Sequence, residues 1–187
     1  MKIGLTGMSG TGKSTLVEKI SNFIVIPEAA RGFLTNSKMF SEAGYDLNIQ
    51  SICVANWHSI NLMNANPTLN FILDRTIVDD FALMHLYFKK ELNLDVIQEH
   101  INQINIQSKN DYLYDELIII KNSNDHEFIK NSILSDSQRK NSKSLEAHLS
   151  NAKAFYELVE YFLLNLSGIA KKVTYKEFAE LTPDYFL

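Results

Sequence analysis

Hydrophobic and polar residues follow two kinds of pattern along the chain. Short apolar runs bounded by polar residues or glycine predict buried parallel strands at 2–6, 23–26, 68–73, 115–120 and 169–175. Segments with apolar residues three or four positions apart predict helices at 14–21, 46–64, 77–92, 95–108 and 145–166. A short terminal helix is predicted at 176–181, ending near Pro183. The length and this succession of elements predict one α/β domain over residues 1–187.

One segment, at about 121–144, does not fit either pattern. It is rich in Asn and Ser and contains several basic residues, Arg139 among them. Such a composition buries little apolar surface, so we expect a mobile lid. Arg139 is the residue in it that we expect to contact a transferring phosphate, and the alternative is a solvated basic loop.

Composition and charge narrow the functional classes. The chain has a net charge of -4 and no long basic run, which disfavours a polynucleotide substrate. It has no apolar stretch of about 18 residues, and the first predicted strand begins at Lys2, so we expect a cytoplasmic protein with no membrane partner. The single cysteine, Cys53, excludes an intramolecular disulfide and is expected to be a small core residue.

The segment from Gly7 to Ser14 matches the phosphate-binding pattern G-x-x-x-x-G-K-[S/T]. A predicted strand precedes it and a predicted helix follows, which favours a phosphate-binding loop over a glycine-rich turn that contains Lys-Ser by chance. Backbone N–H groups and the helix N-terminus would then face the phosphates. The residues expected to bind the nucleotide are Gly7, Ser9, Gly10, Thr11, Gly12, Lys13, Ser14 and Thr15.

The loop predicts a bound nucleoside triphosphate and Mg²⁺. Lys13 is expected to reach the β- and γ-phosphates, and the Ser14 hydroxyl is expected to hold Mg²⁺. Asp74 follows the third predicted strand, at the edge where ligands of parallel sheets bind, and is the expected second magnesium residue. Arg75 could bind phosphate there, although a strand-end salt bridge would also explain the Asp-Arg pair.

Further polar residues follow the second strand and open a later helix. Glu28 and Arg31 lie just after strand 23–26, where we expect acceptor chemistry, although Pro27 and Glu28 could simply begin a helix. Asp79 completes the pattern Thr76-x-x-Asp79, so it either forms half of a capping box or faces the acceptor. Trp57 could stack on a base, but its helical spacing favours core packing.

These motifs together resemble those of the P-loop nucleoside and nucleotide kinases. The sequence is most similar to the bacterial and viral branch that includes the ribosylnicotinamide kinase domain. The resemblance implies a three-layer fold, with a parallel sheet in the order 2-3-1-4-5 and helices on both faces. It also implies that Glu28 is the base for a hydroxyl acceptor, and that Asp136-x-x-Arg139 is the lid signature. The lid differs from that of the family because lysines, not further arginines, accompany Arg139.

We therefore expect an ATP- and Mg²⁺-dependent kinase that acts on a small nucleoside-like acceptor. The expected catalytic residues are Lys13, Glu28, Arg31, Asp74, Arg75 and Arg139. The alternatives are a nucleoside monophosphate kinase and a regulatory NTP-binding protein whose output is a partner contact. The sequence leaves open the acceptor, the preference for ATP over GTP, and the oligomeric state, a homodimer included.

Overall fold

Five parallel strands form the centre of the protein. They are β1 (Lys2–Thr6), β2 (Ile24–Ile26), β3 (Phe71–Asp74), β4 (Tyr114–Ile120) and β5 (Ala170–Lys176). Their order in the sheet is β2-β3-β1-β4-β5, and each neighbouring pair is parallel. The predicted fold class and strand order are confirmed.

The protein is seen here in a computed structural model, which describes residues 1–8, 10–27, 45–88, 91–122, 127–128, 130–131 and 143–186. The side chains of 45–53, 87–88 and 143–149 lie outside this description. The helices are α1 (Lys13–Val17), α2 (Tyr45–Ala65), α3 (Ile77–Phe88), α4 (Leu94–Ser108) and α5 (Lys143–Asn165). Two 3-10 helices, Phe178–Glu180 and Pro183–Phe186, follow β5.

Side chains alternate across the sheet and supply two hydrophobic cores, one on each face. Ile3 and Leu5 of β1 pack with α1 and with the C-terminal 3-10 helices. Phe71 and Leu73 of β3 pack on the opposite face, in a cluster that includes these residues of α2, α3 and α5: Ile60, Met63, Ile77, Val78, Phe81, Phe155 and Val159. The sheet is therefore the middle layer of three, as predicted.

Trp57 of α2 belongs to the larger core. Its ring meets His100 of α4 edge-on at a centroid distance of 4.5 Å and Phe81 of α3 at 6.3 Å. Because the indole packs between three helices, the prediction of core packing is confirmed.

Three predicted boundaries are wrong. Helix α1 ends at Val17 and not at 21, because the amides of Lys19 and Ile20 bond to carbonyls three residues back. Strand β3 begins at Phe71 and not at 68, because the Leu69 amide closes a turn on the Asn66 carbonyl. Helix α3 ends at Phe88 and not at 92, because the chain is already extended at Asn93, the N-cap of α4.

The predicted lid at about 121–144 lies largely outside the described residues, so its mobility stays a prediction. At its start, the Lys121 amide bonds to the Lys176 carbonyl at 3.0 Å and extends the β4–β5 ladder. At its end, the chain is already helical from Lys143. Among the residues described, no helix is long and apolar enough to cross a membrane.

Glu116 of β4 fixes the C-terminal segment to the sheet. Its Oε1 accepts hydrogen bonds from Lys172 Nζ at 2.7 Å, Thr174 Oγ1 at 2.6 Å and Tyr185 Oη at 3.1 Å. Burial opposes ionisation of this carboxyl, but the bonds from Lys172, Thr174 and Tyr185 outweigh it and lower the pKa of Glu116. The contact with Tyr185 ties the second 3-10 helix to the sheet.

Candidate functional site

The phosphate-binding loop joins the end of β1 to the start of α1. Gly10 and Gly12 have φ of 90° and 92°, a left-handed conformation that glycine adopts without steric cost. Thr11 folds back on Met8, whose carbonyl accepts from the Thr11 hydroxyl at 2.9 Å, while the Met8 side chain is buried in the core. The loop is therefore held in shape by the bonds from the Thr11 hydroxyl and amide to the Met8 carbonyl, and by one apolar anchor.

Gly12 is also constrained by a contact from the far end of the chain. A Cβ atom at this position would lie 2.5 Å from Cδ2 and Cε2 of Phe178, which is closer than real Cβ contacts allow. The Phe178 amide donates to Asn122 Oδ1 at 2.8 Å, and its ring lies 5.7 Å from that of Phe128. The first 3-10 helix after β5 thus forms a wall of the loop.

Lys13 is 5% exposed and its ammonium group folds over the loop. Nζ donates to the Gly7 carbonyl and, at 3.1 Å, to the Met8 carbonyl. The positive charge of Lys13 is therefore held against the first two residues of the loop.

Ser14 and Asp74 meet where α1 and β3 converge. Ser14 Oγ donates to Asp74 Oδ2 at 2.7 Å. Asp74 is 2% exposed, and its other oxygen, Oδ1, is buried and receives no hydrogen bond from the part of the chain that the structure describes. A carboxylate oxygen left without a donor in a buried site is costly, so this atom is suited to a cation.

The Ser14 and Asp74 oxygens fit Mg²⁺. Hydroxyl and carboxylate oxygens are the hard ligands that this ion prefers, and Mg²⁺ in phosphate-binding sites takes one or two protein ligands plus phosphate and water. Within the described ranges, no group of three or more His, Cys, Asp or Glu side chains could hold a metal ion without such help. The donor set thus favours a metal bound together with a nucleotide.

Arg75 follows Asp74 in a left-handed backbone conformation, with φ of 87°. For a residue with a Cβ atom this conformation costs about 1–3 kcal/mol and persists where the surroundings impose it. The Arg75 amide extends the ladder to the Leu5 carbonyl at 3.1 Å, and the residue is buried. The chain therefore turns sharply at this strand end, and such strained turns are concentrated at functional sites.

Asp79 connects this turn to the phosphate-binding loop. Its Oδ2 accepts from the Thr76 amide and from Thr76 Oγ1, both at 2.8 Å, which confirms its role as half of a capping box. Its Oδ1 accepts from the Gly7 amide at 2.9 Å, a contact that the capping pattern does not predict. Asp79 is completely buried, so the structure favours these contacts over one with an acceptor.

Tyr114 of β4 contacts the N-terminal end of α3, the end that Asp79 caps. Its hydroxyl accepts a long hydrogen bond, 3.4 Å, from the Ile77 amide in the first turn of α3. Burial, reinforced by the negative charges of Asp80 and Asp79, raises the pKa of Tyr114, so the phenol stays neutral. Asp80, the next residue of α3, accepts from Asn56 Nδ2 of α2, and both side chains are buried.

The structure brings together some of the predicted site residues. Gly7, Gly10, Thr11, Gly12, Lys13 and Ser14 form one loop that contacts Asp74, and Thr15 lies exposed in the first turn of α1. Ser9, Glu28, Arg31 and Arg139 lie outside the described residues, so their roles stay predictions. The Phe178 contact and the Asp79–Gly7 bond could not be predicted from the sequence, because contacts between distant segments leave no local periodicity.

Comparisons with known proteins agree with this architecture. A family model described as an AAA domain matches residues 2–159. No curated protein sequence matches the chain. Three solved structures of deoxyadenosine kinase from M. mycoides match nearly the whole chain.

The structure of that kinase with dATP bound is 20% identical in sequence and has a TM-score of 0.58; the match covers 99% of this chain and 94% of the kinase chain. The structure with the products dCMP and dCDP is 17% identical and has a TM-score of 0.57; the match covers 99% of this chain and 93% of the kinase chain. The structure with dCTP is 17% identical and has a TM-score of 0.56; the match covers 99% of this chain and 94% of the kinase chain. At these identities the likeness shows the fold.

The family model spans most of the chain, from β1 through the phosphate-binding loop and into α5. This match, together with the loop at Gly7 to Ser14 and the sheet order, shows that the chain belongs to the AAA-domain family of P-loop proteins.

Proposed function

We propose that the protein is an ATP- and Mg²⁺-dependent kinase that transfers a γ-phosphoryl group to a hydroxyl of a small nucleoside-like acceptor. The observation that supports it most is the pairing of Ser14 with Asp74 beside the phosphate-binding loop, with Asp74 Oδ1 buried and without a donor among the described residues. This pairing is suited to a magnesium–triphosphate complex. The fold shared with deoxyadenosine kinase supports a nucleoside as the acceptor.

The loop residues would bind and orient the triphosphate. Lys13 would exchange the carbonyls of Gly7 and Met8 for the β- and γ-phosphate oxygens, a short movement of an ammonium group that is already at the loop. Ser14 and Asp74 would hold Mg²⁺, which, when bound, neutralises charge on the β- and γ-phosphate oxygens. Arg139 is proposed to contact the same oxygens when the lid closes, where developing charge makes such contacts most effective.

Glu28 is proposed as the general base. It would accept the proton of the acceptor hydroxyl while that oxygen forms a bond to the γ-phosphorus, and the bond from phosphorus to the β–γ bridging oxygen would break to release ADP. Arg31, three residues later in the sequence, is proposed to keep Glu28 ionised. A monophosphate acceptor already presents an anionic oxygen and would need no such base.

The test compares wild type with Glu28→Gln, which keeps side-chain size but removes the basic oxygen. Transfer from Mg-ATP is measured with deoxynucleosides, ribonucleosides, nicotinamide riboside and nucleoside monophosphates. We expect monophosphate products from one or more nucleosides, and a loss of about 10²–10⁴ in kcat in the variant.

Two results would contradict the proposal. Transfer to monophosphates alone, with near-normal activity in the variant, would identify a nucleoside monophosphate kinase. Binding of Mg-ATP without transfer to any acceptor would instead favour a regulatory NTP-binding protein.

A further inference from the structure

The side chain of Asp79 joins two segments that the proposed function requires to act together. One carboxylate oxygen accepts from Gly7, the first residue of the phosphate-binding loop, at 2.9 Å. The other accepts twice from Thr76, which directly follows the Asp74–Arg75 turn. The carboxylate is fully buried, so water does not compete for these bonds.

The hydroxyl protons around Asp79 have a defined direction. The Thr76 hydroxyl donates its proton to Asp79 Oδ2 at 2.8 Å. Thr76 Oγ1 also lies 2.6 Å from Thr6 Oγ1, and with its own proton committed it must accept from Thr6. The last residue of β1 is thereby linked through Thr76 to the same carboxylate that holds Gly7.

Helix capping explains only half of this arrangement. A capping aspartate needs the Thr76 amide, but it has no need of an amide from another strand's end. The bond to Gly7 joins the loop after β1 to the helix after β3, and these strands are neighbours in register, with Leu5 opposite Asp74. The contact therefore adds a bond to the loop itself, beyond the ladder bond from the Arg75 amide to the Leu5 carbonyl.

We propose that Asp79 is a positioning residue for the phosphate-binding loop. The inference rests on the proposed nucleotide-dependent function and adds to it the residue that keeps Gly7 in place. In this structure Lys13 holds the Gly7 carbonyl while Asp79 holds the Gly7 amide. When Lys13 turns to the phosphates, the Asp79 bond keeps the start of the loop fixed, so that Ser14 stays opposite Asp74.

Asp79→Asn is the variant that separates the two roles. The asparagine side chain has one accepting oxygen, whereas the carboxylate has two. Thr76 offers two donors and Gly7 offers one, so we expect the oxygen to stay bonded to Thr76 and to keep the helix cap. The new NH₂ group would then face the Gly7 amide, and this donor–donor contact releases the loop. The control is Asn93→Ala, which removes the cap that accepts from the Asp95 and Val96 amides at the start of α4, a cap whose bonds involve no residue of the loop.

Two measurements are made on wild type and both variants. Calorimetric titration gives Mg-ATP affinity, and we expect Asp79→Asn to bind about 10- to 100-fold more weakly while Asn93→Ala binds as wild type does. Amide exchange gives protection at Gly7, and we expect it to fall at least about tenfold in Asp79→Asn alone. Affinity and Gly7 protection both equal to wild type in Asp79→Asn would reduce Asp79 to a helix cap and overturn the proposal.

The wild-type protein provides a test if Asp79→Asn does not fold. The Gly7 amide should be protected both without nucleotide and with Mg-ATP, because Asp79 holds it in both states; rapid exchange in either state would contradict the proposal. These measurements need no acceptor, so they are independent of the kinase assay. A failure to phosphorylate nucleosides would overturn the kinase proposal, and the positioning role of Asp79 would still be decided by the protection of the Gly7 amide.

Discussion

Gly12→Ala is expected to destabilise the protein and to weaken nucleotide binding together, because this position is constrained twice. Its φ of 92° costs a residue with a Cβ atom about 1–2 kcal/mol. The new methyl would lie 2.5 Å from the Phe178 ring, and overpacking of this kind costs about 1–3 kcal/mol. The sum, about 2–5 kcal/mol, corresponds to a melting temperature lower by roughly 4–20 °C in a domain of this size.

The steric part of this loss can be isolated with a double-mutant cycle. Phe178→Ala removes the ring that the new methyl would meet, so Gly12→Ala should cost about 1–3 kcal/mol less in that background, and the backbone part should remain. Unfolding free energies come from urea titrations of the four proteins, and Mg-ATP affinity comes from calorimetry.

Gly168→Ala is the matched control. It has φ of 73° and a Cβ atom that would lie 2.7 Å from Asn105 Nδ2, at a turn before β5. Similar instability with normal Mg-ATP affinity is expected there. Wild-type stability in Gly12→Ala, or a double mutant destabilised by the sum of the two single changes, would refute the assigned contact between Gly12 and Phe178.

Two other changes test the site and the fold. Lys13→Ala should abolish measurable Mg-ATP binding while leaving the melting temperature within a few degrees of wild type, and calorimetry with unchanged affinity would show that Lys13 does not serve phosphate. Glu116→Gln should cost about 1–3 kcal/mol at neutral pH. The pKa of Glu116 is lower in the folded than in the unfolded protein. Its contribution to the free energy of unfolding is therefore fully present above the unfolded-state pKa, and it is lost as the pH falls through the folded-state pKa. Urea unfolding of wild type and Glu116→Gln at several pH values checks this, and Glu157→Gln, in the exposed pair with Lys153, is the control. A stability difference between wild type and Glu116→Gln that grows in acid would contradict the assigned bonds.

The parts of the site that are local in sequence could be predicted. The loop from Gly7 to Ser14 has a fixed spacing, and Asp74 ends an apolar strand, so both could be assigned to one edge of the sheet before their 2.7 Å contact was known. The order of the strands came from the resemblance to P-loop kinases, since periodicity predicts strands but not their neighbours.

The contacts that tie distant segments together could not be predicted. Phe178 meets Gly12 because β5 and the loop end at the same edge of the sheet, a fact of topology that neither residue's neighbours reveal. Asp79 was found through its local capping pattern, but its second bond depends on β1 and β3 being adjacent.

Trp57 is the single tryptophan of the sequence, so indole emission comes from one position. The indole lies between α2, α3 and α4, against His100 and Phe81, on the helical layer that does not include α1. Its emission therefore reports displacements within that layer, and the same hydrophobic cluster reaches the phosphate-binding loop through the buried Met8 side chain. Movements of α2, α3 or α4 at this junction can therefore be followed without any label.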